Sequence, residues 1–455
     1  MPSSANIFSF DGKSDLDLLF ELLRFRSVST KPDHAPEMRE CAEWLCALLR
    51  HGGFTAEVAE TGGHPAVLAR SPVAPGKPTV LIYGHYDVQP PEPLGLWTSP
   101  PFEPAIRNKR VFARGSTDNK GQFLAHILGA IHMLREEGAL PVNLIFLIEG
   151  EEEVGSTNLD DFIRARRDDL RCDVIAISDT GMVAEGYPTL TQSLRGIAAM
   201  EVIVRGPVTD LHSGIFGGAV MNPATALVKM LASLHDDRGR IAVPGFYDDV
   251  VKPHAAEREA LAALPVSESD YQRETGVLIL SGEEGFSTVE RIGIRPTAEI
   301  NGLTSGYQGE GTKTVLPAVA SAKLTFRLVP NQKPDRALNL VEIHLQSMLP
   351  PSVELEIIRG HGGMPYLLDL KSPWCGAAMR ALEQTFGRQP ALMREGGSIP
   401  IVQTFRDLLG SDTLLLGLAA PDCKAHAPDE NFPIESFEAG IRLHQNLLRQ
   451  LSGGV

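Results

Sequence analysis

The chain has 455 residues, 43% hydrophobic and 22% charged, with 42 Lys+Arg against 57 Asp+Glu and a formal net charge of -15. At roughly 150 residues per domain, that length predicts two to three domains able to bury a sizeable core. The acidic balance excludes nucleic acid and anionic membrane surfaces as partners, because both would repel it. Five cysteines occur without a C-x-x-C pair, which excludes a zinc ribbon or a thioredoxin-type motif and fits scattered thiols in a reducing compartment. The N-terminal segment MPSSANIFSFDGKSDLDLLF lacks a basic region followed by an apolar stretch, and no apolar run reaches the ~18–20 residues of a bilayer span. A cytoplasmic location is expected.

In chain order, helix-spaced apolar residues predict helices over 14–25 and 35–52, and the run TVLIY (79–83) predicts a buried strand ending at Gly84. Residues 120–137 read as a helix with Phe123, Leu124, Ile127, Ile131 and Leu134 on one stripe. VNLIFLI (142–148) and DVIAIS (173–178) are two more buried strands, so this part predicts a largely parallel sheet covered on both faces. The middle of the chain differs. It has alternating strands at 198–206, 320–330 and 353–360, helices at 221–235 and 337–349, and a polar stretch, 240–295, that resists assignment. From Pro373 the earlier pattern returns, with a helix to Phe386, a buried strand TLLLGL (413–418) and a last helix at 434–451. The sequence thus predicts one α/β domain split by an inserted α+β domain.

The acidic and imidazole groups cluster just after the buried strands, where open α/β sheets bind ligands. Gly84-His85-Tyr86-Asp87 follows the first strand: His85 offers one ring nitrogen to a metal, and Asp87 can accept a hydrogen bond from the other. A turn with a satisfied His–Asp pair is the structural alternative. Asp118, in ARGSTDNKG before a helix, fits an N-cap as readily as a ligand. Four Glu within residues 149–153 would repel one another unless a cation neutralised them. Asp179 and His426 also follow buried strands, positions where a lone residue usually carries nothing. Together, two His and three carboxylates suit a pair of borderline cations such as Zn²⁺, with a spare Glu as general base. The reaction class is metal-assisted hydrolysis of an amide.

As an ordered set, GHYDVQP, ARGSTDNKG, EGEEEVGS, ISD, DLHSG, GTKTVLP, FRLVP, EGGSIP and the late His resemble the aminoacylase/carnosinase family of two-metal peptidases. Within it, the likeness is strongest to the carnosinase-type cytosolic dipeptidases. The resemblance implies an α/β, zinc-peptidase-like catalytic domain (1–196 and 366–455) interrupted by an α+β lid and dimerisation domain (197–365). It implies that His85 and Asp179 hold one metal, Glu153 and His426 the other, and that Asp118 bridges them ahead of a cis peptide to Asn119. Glu152 is then the general base toward a metal-bridged hydroxide, and Asp87 orients His85. His212 would reach the neighbouring subunit's site to steady the oxyanion, and Arg327, Thr314, Ser398 and His361 would hold the substrate carboxylate. The expected enzyme is a homodimeric dipeptidase with two divalent ions per subunit, Zn²⁺ or else Mn²⁺ or Co²⁺. An N-acyl- or N-carbamoyl-amino-acid amidohydrolase is the near alternative, and a non-catalytic binding homologue the remote one.

Overall fold

The computed structural model describes residues 9–453. In chain order the elements are α1 (Asp15–Arg24), α2 (Ala35–His51), β1 (Thr55–Ala59), β2 (Ala66–Arg70), β3 (Thr79–His85), β4 (Ala105–Arg107), β5 (Arg110–Phe112), α3 (Lys120–Glu137), β6 (Asn143–Glu149), α4 (Leu159–Ala165), β7 (Val174–Ile177) and β8 (Thr189–Leu194). The middle holds β9 (Gly196–Arg205), β10 (Leu211–His212), α5 (Ser213–Phe216), α6 (Pro223–Ala232), α7 (Ala255–Ala262), α8 (Glu268–Thr275), α9 (Thr288–Ile294), β11 (Thr297–Ser305), β12 (Val315–Leu316), β13 (Val319–Leu328), α10 (Pro334–Ser347) and β14 (Glu354–Gly363). The chain closes with β15 (Tyr366–Leu367), α11 (Pro373–Phe386), β16 (Ala391–Glu395), α12 (Pro400–Leu409), β17 (Asp412–Gly417), β18 (Asn431–Pro433) and α13 (Ile434–Leu451).

The large sheet has nine strands, ordered β1-β2-β6-β3-β7-β17-β8-β15 with β16 beside β8. The expected largely parallel sheet is in fact mixed. Only β6, β3, β7 and β17 form a continuous parallel block, and β1, β2, β8 and β15 join antiparallel. The parallel block corresponds to the uninterrupted apolar runs, since those strands are buried on both faces. The short flanking strands escape prediction because their two to six residues carry no period of their own. Helix α3 packs closely over β3: a Cβ at Gly84 would lie 2.5 Å from Phe123 Cβ, so this position tolerates no side chain.

A second sheet, β11-β13-β9-β14, is antiparallel throughout, and its central strand β9 alternates buried and half-exposed residues. Helices α6 and α10 cover its apolar face. Two hydrophobic cores result. One has members from Phe10 to Leu194 and again from Tyr366 to Leu451, and the other runs from Ala198 to Val353. The fold is thus an α/β unit interrupted by an inserted α+β unit. The unassigned stretch 240–295 contains α7, α8 and α9, in which Leu261 and Ile294 are the only buried large apolar side chains among the described residues, too few to show a period. No described helix is long and apolar enough to cross a membrane.

Candidate metal centre

The carboxyl ends of β3, β6, β7 and β17 lie along one edge, and the loops leaving them carry the acidic and imidazole groups. His85 is the last residue of β3 and is fully buried. Its Nε2 lies 3.1 Å from Asp118 Oδ1 and 3.7 Å from Asp179 Oδ2. His426 Nε2 lies 2.8 Å from the other Asp118 oxygen and 3.4 Å from Glu153 Oε2. Two triads result, His85–Asp118–Asp179 and Asp118–Glu153–His426. In each, the ligand atoms lie within 4.8 Å of one another, and both share Asp118. The Asp118–Asn119 peptide is cis. Asp118 is not a helix cap: Asn119 precedes α3 and makes no side-chain cap bond.

Each member is placed by its neighbours. The ring Nδ1 of His85 meets the Asp87 carbonyl at 3.1 Å and the Asp87 carboxylate at 3.3 Å. That carboxylate also accepts the main-chain N–H groups of Glu152 and Glu153, at 3.2 and 3.0 Å. Asp87 therefore ties His85 to the turn at Glu152–Val154, which closes on Gly155 at φ +88°. The four Glu separate into distinct environments. Glu149 accepts from Tyr83 Oη at 2.5 Å and Ser156 Oγ at 2.8 Å, and Glu151 accepts from Asn158. Glu153 joins the second triad, and its Oε2 accepts from Gln89 at 2.7 Å. Glu152 stands beside both triads without belonging to either. Asn119 Nδ2 donates to Asp179 Oδ1 at 2.7 Å. His426 has φ +61°, a conformation uncommon for a non-glycine residue.

The donors fit a divalent cation. Among the described residues, His85 Nε2 and Glu153 Oε1 are buried yet have no hydrogen-bond partner of acceptable geometry. Burial pushes Glu152 well above the usual carboxylate range, and pushes Glu153 up to about 7 with the Asp118 charge adding to it. Crowded buried carboxylates of this kind are relieved by positive charge. Nitrogen and oxygen donors in such sets suit Zn²⁺, Mn²⁺ or Co²⁺.

The remaining predicted residues lie elsewhere. His212 is exposed on β10, which pairs with β12, and Ser213 N donates to Thr314 O at 3.1 Å, so His212 and Thr314 are neighbours on the inserted unit. Arg327 donates to Ser398 Oγ at 2.9 Å, joining the inserted unit to the EGGSIP loop. His361 is exposed near the end of β14. None of these five lines the cavity of about 600 Å³ that opens beside Asp118 and Asp179.

Sequence reasoning missed four residues. Gln89 sits within GHYDVQP, and Glu395, which lines the cavity, within EGGSIP, so membership of those motifs was the available signal. Arg195 donates to Gly396 O at 3.0 Å and lies beside Arg327. Burial, with Arg327 adding to it, pushes Arg195 down to about 10. Glu430 accepts from the main chain of Gly115, Thr117 and Asp118, and nothing in its local sequence marks it.

A strand-end cluster of imidazoles and carboxylates on an interrupted α/β scaffold defines a metal-dependent hydrolase. Residues 81–450 match peptidase family M20/M25/M40, and the chain belongs to that family. It is 33% identical over 443 residues to a Cys-Gly metallodipeptidase, dug1, of Schizosaccharomyces pombe, covering 94% of this chain and 93% of that protein. It is 31% identical over 384 residues to the human beta-Ala-His dipeptidase, covering 83% of this chain and 76% of that protein. The solved structure of an M20 family metallo-carboxypeptidase, Sso-CP2, from Sulfolobus solfataricus superposes with a TM-score of 0.86 at 32% identity, over 97% of this chain and 99% of that one. The protein is therefore a hydrolytic metalloenzyme that binds divalent metal.

Proposed function

We propose that the enzyme cleaves the amide bond of dipeptides or short peptides ending in a free carboxylate, with two divalent ions per subunit. The observation that carries this reading is the pair of triads sharing Asp118, with Glu152 beside both. The similarity to relatives named for Cys-Gly and beta-Ala-His cleavage supports the substrate class. His85 and Asp179 are assigned to one ion, Glu153 and His426 to the other, and Asp118 to both. Zn²⁺ is the favoured ion, with Mn²⁺ or Co²⁺ as substitutes.

When bound, such ions polarise a scissile carbonyl and acidify water. Glu152 is assigned as the general base that takes a proton from the attacking water and returns it to the leaving amine. Asp87 holds the His85 ring and the turn bearing Glu152. Arg327 and Ser398, with Thr314 and His361, are assigned to the substrate carboxylate, which a guanidinium fork suits. The partner subunit's His212 is assigned to the oxyanion, a contribution of about 3–4 kcal/mol for one donor. Residues 197–365 are assigned as the lid and dimer-bearing unit. Exposed Ile215, Phe216, Val228, Ile300 and Leu303, all on that unit, support a homodimer contact that would cover them. Five free cysteines suit a reducing, cytoplasmic setting.

Metal analysis combined with a panel of Xaa-Gly dipeptides, acetyl-amino acids and carbamoyl-amino acids tests the reading. Turnover of dipeptides alone is expected. Preference for acetyl- or carbamoyl-amino acids would shift the assignment to an amidohydrolase, and no turnover of any amide by metal-loaded protein would overturn it.

A further inference from the structure

The cavity of about 600 Å³ beside Asp118 and Asp179 is walled on one side by the catalytic unit and on the other by Leu264, Val266 and Tyr271 of the inserted unit. It contains no Lys, Arg or His among its lining residues, and Arg327 and Ser398 do not reach it. A substrate carboxylate would be repelled there, so the cavity lies on the amino-terminal side of the scissile bond.

Its charge is unevenly neutralised. Glu185 and Asp422 share Arg110, and Asp270 pairs with Arg273. Glu274, exposed on α8, and Glu395, which accepts from Thr191 Oγ1 at 3.3 Å, line the cavity with no ion-pair partner among the described residues. A second feature is independent of the charges. Gln122 Oε1 and Thr180 Oγ1 belong to cavity-lining residues only 2% and 3% exposed, and neither has a hydrogen-bond partner among the described residues. Buried oxygens of this kind want donors. Met182 and Val183 of the catalytic unit and Tyr271 of the inserted unit add apolar surface to the lining.

We propose that this cavity is the pocket for the side chain of the substrate's N-terminal residue, and that it selects a long aliphatic stem ending in a cation, as in lysyl and arginyl dipeptides. The inference rests on the dipeptidase reading above. The stem packs along the apolar walls, and the terminal ammonium or guanidinium meets Glu274. The inserted unit thereby sets specificity in its own subunit, through α8 and the loop before it.

The test measures kcat/KM of the metal-loaded enzyme for Lys-Gly, Arg-Gly, norleucyl-Gly, Glu-Gly and Ala-Gly. Lys-Gly is expected to exceed norleucyl-Gly about tenfold or more, the discrimination that one charge-assisted hydrogen bond supplies, with Glu-Gly last. Glu274→Gln is expected to collapse the ratio of Lys-Gly to norleucyl-Gly toward one. Tyr271→Ala is expected to lower the ratio of norleucyl-Gly to Ala-Gly, because it removes the apolar wall. Equal rates for Lys-Gly and norleucyl-Gly in the wild type, or a ratio unmoved by Glu274→Gln, would overturn the pocket assignment while leaving the dipeptidase intact. Failure to cleave any of the five would instead remove the dipeptidase reading itself.

Discussion

The Arg114 guanidinium lies 2.7 Å from the Glu430 carboxylate, with 1% and 0% of the two side chains exposed. The same carboxylate accepts the N–H groups of Gly115, Thr117 and Asp118, so one buried ion pair shapes the loop that presents Asp118 to both triads. Removing one partner of such a pair leaves an uncompensated buried charge. Glu430→Gln is expected to lose about 3–5 kcal/mol of stability and to bind metal more weakly. Urea unfolding and elemental analysis check the two effects, and an unchanged unfolding midpoint would refute the first.

Glu152 and Glu153 are adjacent but differ in environment. Glu153 belongs to a triad and is held by Gln89, whereas Glu152 has no such role. Glu152→Gln is expected to retain metal and lose activity by at least ~10². Glu153→Ala is expected to lose metal as well. Elemental analysis alongside dipeptide turnover separates the two, and near-wild-type turnover in Glu152→Gln would remove the base assignment.

A pH effect on stability follows from a pair of histidines outside the two triads. His126 Nδ1 lies 2.9 Å from His444 Nδ1, both rings are fully buried, and His126 Nε2 meets Ser178 Oγ at 2.7 Å. Burial pushes His126 down to about 4, and burial together with His126 pushes His444 well below the usual imidazole range. Between pH ~4 and ~6.5 the unfolded chain takes up protons that the folded one refuses, so stability falls as pH drops through that window. The loss is absent above about pH 7.5 and reaches roughly 3 kcal/mol from His126 alone by pH 4. Unfolding free energies measured across this range should show a shallower slope in His444→Phe than in the wild type. Equal slopes would show that the pair does not titrate this way.

If the partner subunit's His212 completes each site, His212→Ala and Glu152→Gln should complement one another. Each homodimer is expected to be inactive. A mixed dimer regains one site in which Glu152 is intact and the partner subunit's His212 is present. Co-expression with separate affinity tags, followed by assay of the doubly tagged species, provides the measurement. No regain of activity in a confirmed heterodimer would show that His212 does not act across the subunit boundary.

Local residue pattern by itself pointed to the parallel block and its covering helices, because an apolar run as short as residues 79–83 or 413–418 is too short for a buried helix and fits a strand covered on both faces. It also put His85, Asp179 and the Glu cluster at strand ends, since each follows directly on such a run. Tertiary structure alone decided the rest. The two central groups Asp118 and His426 sit on loops far apart in sequence, and they meet only because α3 follows one loop and β17 precedes the other at the same sheet edge. The fates of the four Glu depended on Asp87, which anchors the main chain of Glu152 and Glu153, and on Tyr83, Ser156 and Asn158, which take up Glu149 and Glu151. Glu430 and the cavity wall at Tyr271 left no local signal, because their partners come from other elements. Periodicity records which face a residue buries. Which distant group meets it there is set by the packing of elements that share no sequence neighbourhood.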